Sequence, residues 1–233
     1  MKRFYEDVVI TAIDKLGFEV HLDARPVRTP LRQPLRLPGK ALASAIAKEW
    51  IDQAEEIDVG SMPLTRIAAT AVDRVNGDRS KYADQIAAYA ETDLVCYRAP
   101  APSGLVILQS RSWQPLLDWC RETYGAKLKV TEGVAPVDQD RVALDRIRKA
   151  LDAKGPFELA ALSVATAASG SLVIGLALSE GRIDALAAYE ASQLDESYQS
   201  TLWGLDEETQ SRREIVRADL EVAEIFFKLL HSN

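Results

Sequence analysis

Residues 159–179 read LAALSVATAASGSLVIGLALS, a run without one charged side chain. Its length suits a membrane crossing. Its composition argues otherwise: it is rich in alanine and broken by Ser163, Thr166, Ser169, Gly170, Ser171 and Gly175. Ser169-Gly170-Ser171 looks like punctuation between two helices. The flanks, Glu158 on one side and Glu180-Gly181-Arg182 on the other, mark no positive side. The stretch is therefore read as two buried helices of a soluble core. A membrane span is the competing reading, since a helix apolar all round fits either place.

Helical signals spread in both directions from this hairpin. Towards the C-terminus, Ile183, Ala187, Ala191, Leu194 and Tyr198 recur at three and four residues and mark one helix, and Val216, Leu220, Ala223, Phe227 and Leu230 mark the last. Asp206-Glu207-Glu208 sits where that last helix should start, and acids there complement its dipole. Towards the N-terminus, residues 140–154 carry Leu144, Ile147 and Leu151 inward. A longer helix after Pro102 carries Leu105, Leu108, Trp113, Leu116, Leu117 and Cys120, and Gly125 stops it. Residues 127–131 are read as a short strand. Tyr82, Ile86 and Tyr89 form the stripe of another helix. Pro63 suits a first helical turn ahead of Leu64, Ile67, Ala71 and Val75. Leu42, Ile46 and Trp50 share a helix face.

Only the first forty residues change period. Val8 to Ile13 is apolar and β-branched, and Phe18, Val20 and Leu22 alternate onto one face of a second run. Residues 25–29 and 35–37 are short and bounded by Pro26, Pro30, Pro34 and Pro38, which confines them to edges or connections. The expectation is a small antiparallel meander. The fold class is α+β in two domains: a β-rich N-terminal domain with helices over residues 1–78, and an all-helical C-terminal domain over 79–233.

Composition narrows function. The 233 residues carry 28 Lys and Arg against 35 Asp and Glu, for a net charge of −7. An acidic chain is a poor nucleic-acid or anionic-membrane binder. Cys96 and Cys120, the two cysteines, with His21 and His231, the two histidines, show no metal-ligand spacing, and a thiol-poor chain fits a reducing compartment. No secretory leader opens the chain, so a cytoplasmic location is expected. Charge is nevertheless uneven. Arg25, Arg28, Arg32, Arg36 and Lys40 fall in a stretch without an acid, whereas residues 183–224 hold eleven acids against three arginines. These are solvated faces or two docking surfaces.

Catalytic patterns are missing. There is no G-x-x-x-x-G-K, no G-x-G-x-x-G and no G-x-S-x-G. Helix capping accounts for Ser169 and Ser171 better than nucleophilic chemistry does. Asp195 and Glu196 are read as lying mid-helix, with Glu196, Gln199 and Trp203 at i, i+3 and i+7, hence on one face that could read a partner. Of the four tryptophans, Trp50 and Trp119 are expected in the core and Trp203 at an interface. No catalytic residue, cofactor or metal is expected.

Read together and in order, several segments carry a resemblance: LDARPVRTP at 22–30, Glu49-Trp50 through Ile57-Asp58, MPLTR at 62–66, YAETDLVCYR at 89–98, WQPLLDW at 113–119, Gly170-Ser171-Leu172, and Leu194-Asp195-Glu196 through Gln199 to Trp203-Gly204. The set resembles the ATP synthase assembly chaperone family that binds the α subunit of the F1 sector, and looks like a bacterial member. The resemblance implies two domains and no enzyme activity. It implies one partner, the free F1 α subunit, whose interface is masked until the β subunit displaces the chaperone. Glu196 is the first candidate for partner binding, with Asp195, Gln199, Trp203, Arg25 and Arg28 behind it. A monomer is expected, with no nucleic acid bound and no membrane insertion. Two other readings remain open: a small-molecule enzyme with an interdomain carboxylate cleft that includes Arg98, and a phosphate or RNA binder using residues 25–40.

Overall fold

The computed structural model describes residues 1–13, 17–133, 135–203 and 206–232, the side chains of 202 and 203 excepted. Its contacts divide the chain into two compact units. The first takes Met1–Arg79 together with Gly155–Ala161 and Ile225–Asn233, and the second takes Ser80–Lys154 and Leu162–Glu224. Two late segments thus join the N-terminal residues in the first unit.

In the first unit, strands β1 (Val8–Ala12) and β2 (Phe18–Leu22) pair antiparallel with Ile10 opposite Val20. On its other side β2 takes two very short strands, β3 (Arg25–Pro26) against its Leu22 end and β4 (Arg36–Leu37) against its Phe18 end. The expected meander is therefore corrected: β4 returns to β2 rather than pairing with β3. The alternation of Phe18, Val20 and Leu22 survives, with Val20 and Leu22 buried. Glu19, on the opposite face, is buried too, where it meets Arg36 and His21 at 3.3 Å each.

Helix α1 (Lys40–Ile51) packs across β1, β2 and β4, and its Leu42 and Ile46 are wholly buried. Helix α2 (Pro63–Thr70) follows with Pro63 in its first turn and continues into one π-helical turn at Ala71–Val75. Its free N–H groups are met by Glu49, whose carboxylate accepts from Leu64 N at 2.7 Å, Thr65 N at 2.8 Å and the Thr65 hydroxyl at 2.6 Å. Gln53 ties the loop between the two helices. It accepts from Asp58 N at 2.7 Å and donates to Glu49 O and Ser61 Oγ, both at 3.0 Å.

The second unit starts with α3 (Arg79–Ala87), whose Ala83 and Ile86 are buried, whereas Tyr89 lies on the surface of the next 3-10 turn rather than continuing the stripe. Strand β5 (Tyr97–Arg98), helix α4 (Ser103–Tyr124), strand β6 (Thr131–Glu132) and helix α5 (Arg141–Asp152) come next. The strand expected at 127–131 lies instead at Thr131–Glu132, parallel to β5. Gly125 ends α4 in the left-handed region, as its position promised.

The charge-free run forms α6 (Pro156–Ser169) and α7 (Leu172–Ser179), separated at Gly170, whose φ is +67°. Every residue of α7 is buried. Among the described residues no helix is long and apolar enough to cross a membrane. Ser171 caps α7 by accepting from Ile174 N at 3.0 Å. Asp93, itself wholly buried, reaches the same helix start. It accepts from the Ser171 hydroxyl at 2.5 Å, Val173 N at 3.0 Å and Val95 N at 3.2 Å. Burial pushes its carboxyl up to about 6 in spite of these donors. Helices α6 and α7 approach closely at Gly175: a methyl group there would lie 2.7 Å from Thr166 Oγ1 and 3.2 Å from a Leu162 methyl.

Three helices complete the chain: α8 (Ala185–Ser192), α9 (Leu194–Trp203) and α10 (Glu207–His231). The single helix expected from Ile183 to Tyr198 is thus two, divided at Gln193, where φ −104° and ψ 18° leave the helical region. Ala185, Ala188 and Ala191 form the buried face of α8, so Ala191 is enclosed as expected whereas Ala187 is only partly covered. Asp206 caps α10 through Thr209 N at 2.7 Å. The tryptophan assignment also changes. Among the described tryptophan side chains Trp113 is wholly buried, and Trp50 and Trp119 are only partly covered.

Candidate functional site

The acidic segment chosen from the sequence forms the first turn of α9 rather than a helix middle, and this placement sets its chemistry. A helix start presents free N–H groups and a partial positive charge, so Asp195 and Glu196 suit it electrostatically. Asp195 and Glu196 then diverge. Asp195 is half-buried and its Oδ1 accepts from Gln109 Nε2 of α4 at 2.8 Å. Glu196 and Gln199 are exposed, and among the described residues neither makes a side-chain hydrogen bond. Trp203 ends the helix, and its side chain lies outside the described residues.

Gln109 is held in turn. Its Oε1 accepts from Ala99 N at 2.8 Å, and its backbone oxygen accepts from Arg98 Nη1 at 2.6 Å. Arg98 is buried, its guanidinium 5.1 Å from the Trp113 ring centre, and its other two nitrogens have no acceptor among the described residues. Burial lowers its proton affinity, which the nearby Cys96 and, less, the Asp195 carboxylate partly restore. Trp113 Nε1 donates to Ala191 O at 2.8 Å, fixing the end of α8. From α10, Arg213 donates to the Tyr189 hydroxyl at 3.1 Å and to Ser197 Oγ at 2.6 Å. Thus α9 is held by α4 through Asp195 and by α10 through Ser197, while Glu196 and Gln199 project outward.

Arg25 and Arg28 belong to the first unit, so the predicted residues form two separate groups. Arg25 is exposed on β3. Arg28 is also exposed and donates to Arg32 O at 2.9 Å, across a turn closed by Thr29 N to Gln33 O at 2.9 Å.

The sequence reading passed over Asp93 and Gln109, and it assigned Arg98 to a cleft. The first of these had a signal: an acid two residues ahead of Val95 can cap a local turn, as Asp93 does. Gln109 had none, because an amide on a helix reads as solvent-facing until its distant partner is known. Among the described residues no group of three His, Cys, Asp or Glu side chains is placed to hold a metal ion.

Comparison with known proteins agrees with this architecture. The ATP12 chaperone protein family model matches residues 2–121. The crystal structure of Atp12 from Paracoccus denitrificans is similar with a TM-score of 0.93 and 43% identity, covering 99% of this chain and 98% of that one. A point mutant of the same bacterial protein matches at 42% identity with the same TM-score and coverage. The mitochondrial protein atp12 of Schizosaccharomyces pombe is 24% identical over 216 residues, 87% of this chain and 74% of that protein. With a family model spanning over half the chain and solved relatives above 40% identity, the chain belongs to the ATP12 chaperone protein family.

Proposed function

We propose that this protein is a non-catalytic assembly chaperone that binds the free α subunit of F1-ATP synthase, covers its subunit interface and is displaced by the β subunit. The observation that carries the reading is the first turn of α9, where one carboxylate is anchored and its neighbour, Glu196, is free and exposed. A free α subunit exposes apolar area meant for β, and such area aggregates. A chaperone that covers it without consuming ATP must bind more weakly than β does. A partly polar contact centred on an exposed carboxylate meets that requirement.

The test is co-purification with α and, separately, with β, followed by the substitution Glu196→Lys. Because Glu196 is exposed and makes no side-chain hydrogen bond or ion pair among the described residues, the variant should keep its fold to within about 0.5 kcal/mol. Its affinity for α should fall by about tenfold or more, the effect of reversing one interfacial charge. Unchanged affinity removes Glu196 from the site, and failure of the parent protein to bind α removes the reading.

A further inference from the structure

The first unit contains a feature that the acidic helix leaves unused. A groove of about 890 Å³ runs beside α1, α2 and the turn after β3. Its apolar floor includes Leu35, Trp50 and Met62, and two aliphatic side chains on its walls, Leu31 and Val59, are 65% and 58% exposed. Its volume lies in the range of sites that take a ligand or a short chain segment. Apolar surface left open in this way marks an interaction site more often than a structural one.

Its charge is one-sided. Arg28, Arg66 and Arg74 all line the groove, all are exposed, and none is within ion-pair distance of a carboxylate among the described residues. Asp73, the one carboxylate lining it among the described residues, is already committed. It accepts from the Thr29 hydroxyl at 2.5 Å and from Leu31 N at 3.0 Å, pinning the turn that forms one wall. The groove therefore presents three guanidinium groups with no ion-pair partner among the described residues around an apolar floor, in a chain whose net charge is −7. Arginines pair with carboxylates in bidentate geometry, and such a rim selects an acidic occupant over a basic one.

The geometry points to this groove as a second docking site, separate from α9, for an extended protein segment that carries carboxylates beside an aliphatic or aromatic side chain. The apolar residue enters over Trp50 and Met62, and the carboxylates meet Arg28, Arg66 and Arg74. This assignment stands apart from the role of Glu196, and either can fail without the other.

Trp50 supplies the readout. The intact protein is titrated with a blocked hexapeptide of alternating Glu and Leu, and its tryptophan emission is followed. Trp50→Phe identifies the part of the signal that arises in the groove. The expected result is a saturable change that is absent in Trp50→Phe, weakens as salt is raised, and is not produced by the Lys-Leu analogue. Arg66→Glu/Arg74→Glu should weaken binding about tenfold or more, since each exposed pair accounts for a few-fold and reversal adds repulsion. Leu31→Asp, at a position too exposed to matter for folding, should also weaken it. Circular dichroism verifies the fold of each variant. Equal binding of the acidic and basic peptides, equal binding by the double-reversal variant, or no Trp50 response overturns the proposal. Displacement of the peptide by an equal concentration of oligothymidylate would instead assign the groove to anions in general and overturn the protein-segment occupant.

Discussion

Asp93→Asn isolates one buried charge and predicts a pH dependence of known sign. Asp93 is wholly enclosed, and its carboxyl is raised from the ordinary 3.8 to about 6, chiefly by burial, against the lowering effect of Ser171, Val173 and Val95. The unfolded chain releases this proton near the ordinary value, whereas the folded chain keeps it to about 6. Through that window the folded state holds the extra proton, so stability falls as pH rises. The contribution is complete below pH 4 and gone above about 6. The displacement corresponds to roughly 3 kcal/mol, at about 1.4 kcal/mol for each tenfold change in proton affinity.

Asparagine cannot ionise and removes this slope. It also carries an amide where one carboxylate oxygen accepts from Val173 N at 3.0 Å. Leaving that N–H without an acceptor costs about 1–3 kcal/mol at every pH. The variant should therefore be clearly less stable at about pH 4.5, and close to the parent at about pH 7.5, with the gap narrowing by roughly 2 kcal/mol between them. Equilibrium urea unfolding, followed by tryptophan emission at several pH values, measures the gap. A difference constant across the range would show that Asp93 ionises at its ordinary value in the folded protein, and the reasoning from burial would be refuted.

Other consequences follow from the same packing. Thr166 is buried with no partner for its hydroxyl among the described residues. Thr166→Val, which keeps the shape, should stabilise by about 1 kcal/mol in urea unfolding. Gly175→Ala puts a methyl group 2.7 Å from Thr166 Oγ1 and should destabilise by about 1–3 kcal/mol, read as a lower Tm; an unchanged Tm would mean α6 and α7 yield at no cost. The thiols of Cys96 and Cys120 are buried and pushed up to about 12, so the native protein at pH 8 should resist a thiol-reactive disulfide reagent and react fully once unfolded; prompt native labelling would contradict their burial.

Local rules carried the sequence a long way. Alternation at Phe18, Val20 and Leu22, Pro63 in a first turn, Gly125 after α4, Ser171 between two apolar helices and Asp206 ahead of the last helix each rest on chemistry within a few residues, and each stands in the structure. What failed depends on distance along the chain. Two-residue strands carry too little pattern to name their partner, so the return of β4 to β2 was not legible. The spacing of Ala191, Leu194 and Tyr198 continues smoothly through Gln193, although the backbone there turns out of the helix. The tryptophans misled because bulk alone ranks all four alike, while enclosure depends on neighbours such as the Ala191 carbonyl that receives Trp113 Nε1. The burial of Asp93 and of Arg98 is not legible in the sequence because their partners lie elsewhere in the chain: Ser171 for the first and Gln109 for the second.

Asp195 and Glu196 show the same division within two adjacent residues. From sequence they are equivalent acids on one helix, and the i, i+3 spacing found the exposed face of Glu196 and Gln199. The bond from Gln109 to Asp195 joins positions 86 residues apart and had no local signal. That bond matters for the proposed activity more than the net charge of the acidic helices does. A flexible helix start would have to lose conformational freedom on meeting a partner, and that loss subtracts from affinity. Here α4 and α10 have already fixed α9 through Asp195 and Ser197, so Glu196 is offered in place. On the proposed function, the many acids around it would supply a field that speeds encounter and fades with salt, while the contact itself would rest on few groups. Fast arrival on a pre-ordered but small polar contact is what a chaperone needs if a stronger partner is later to take its place.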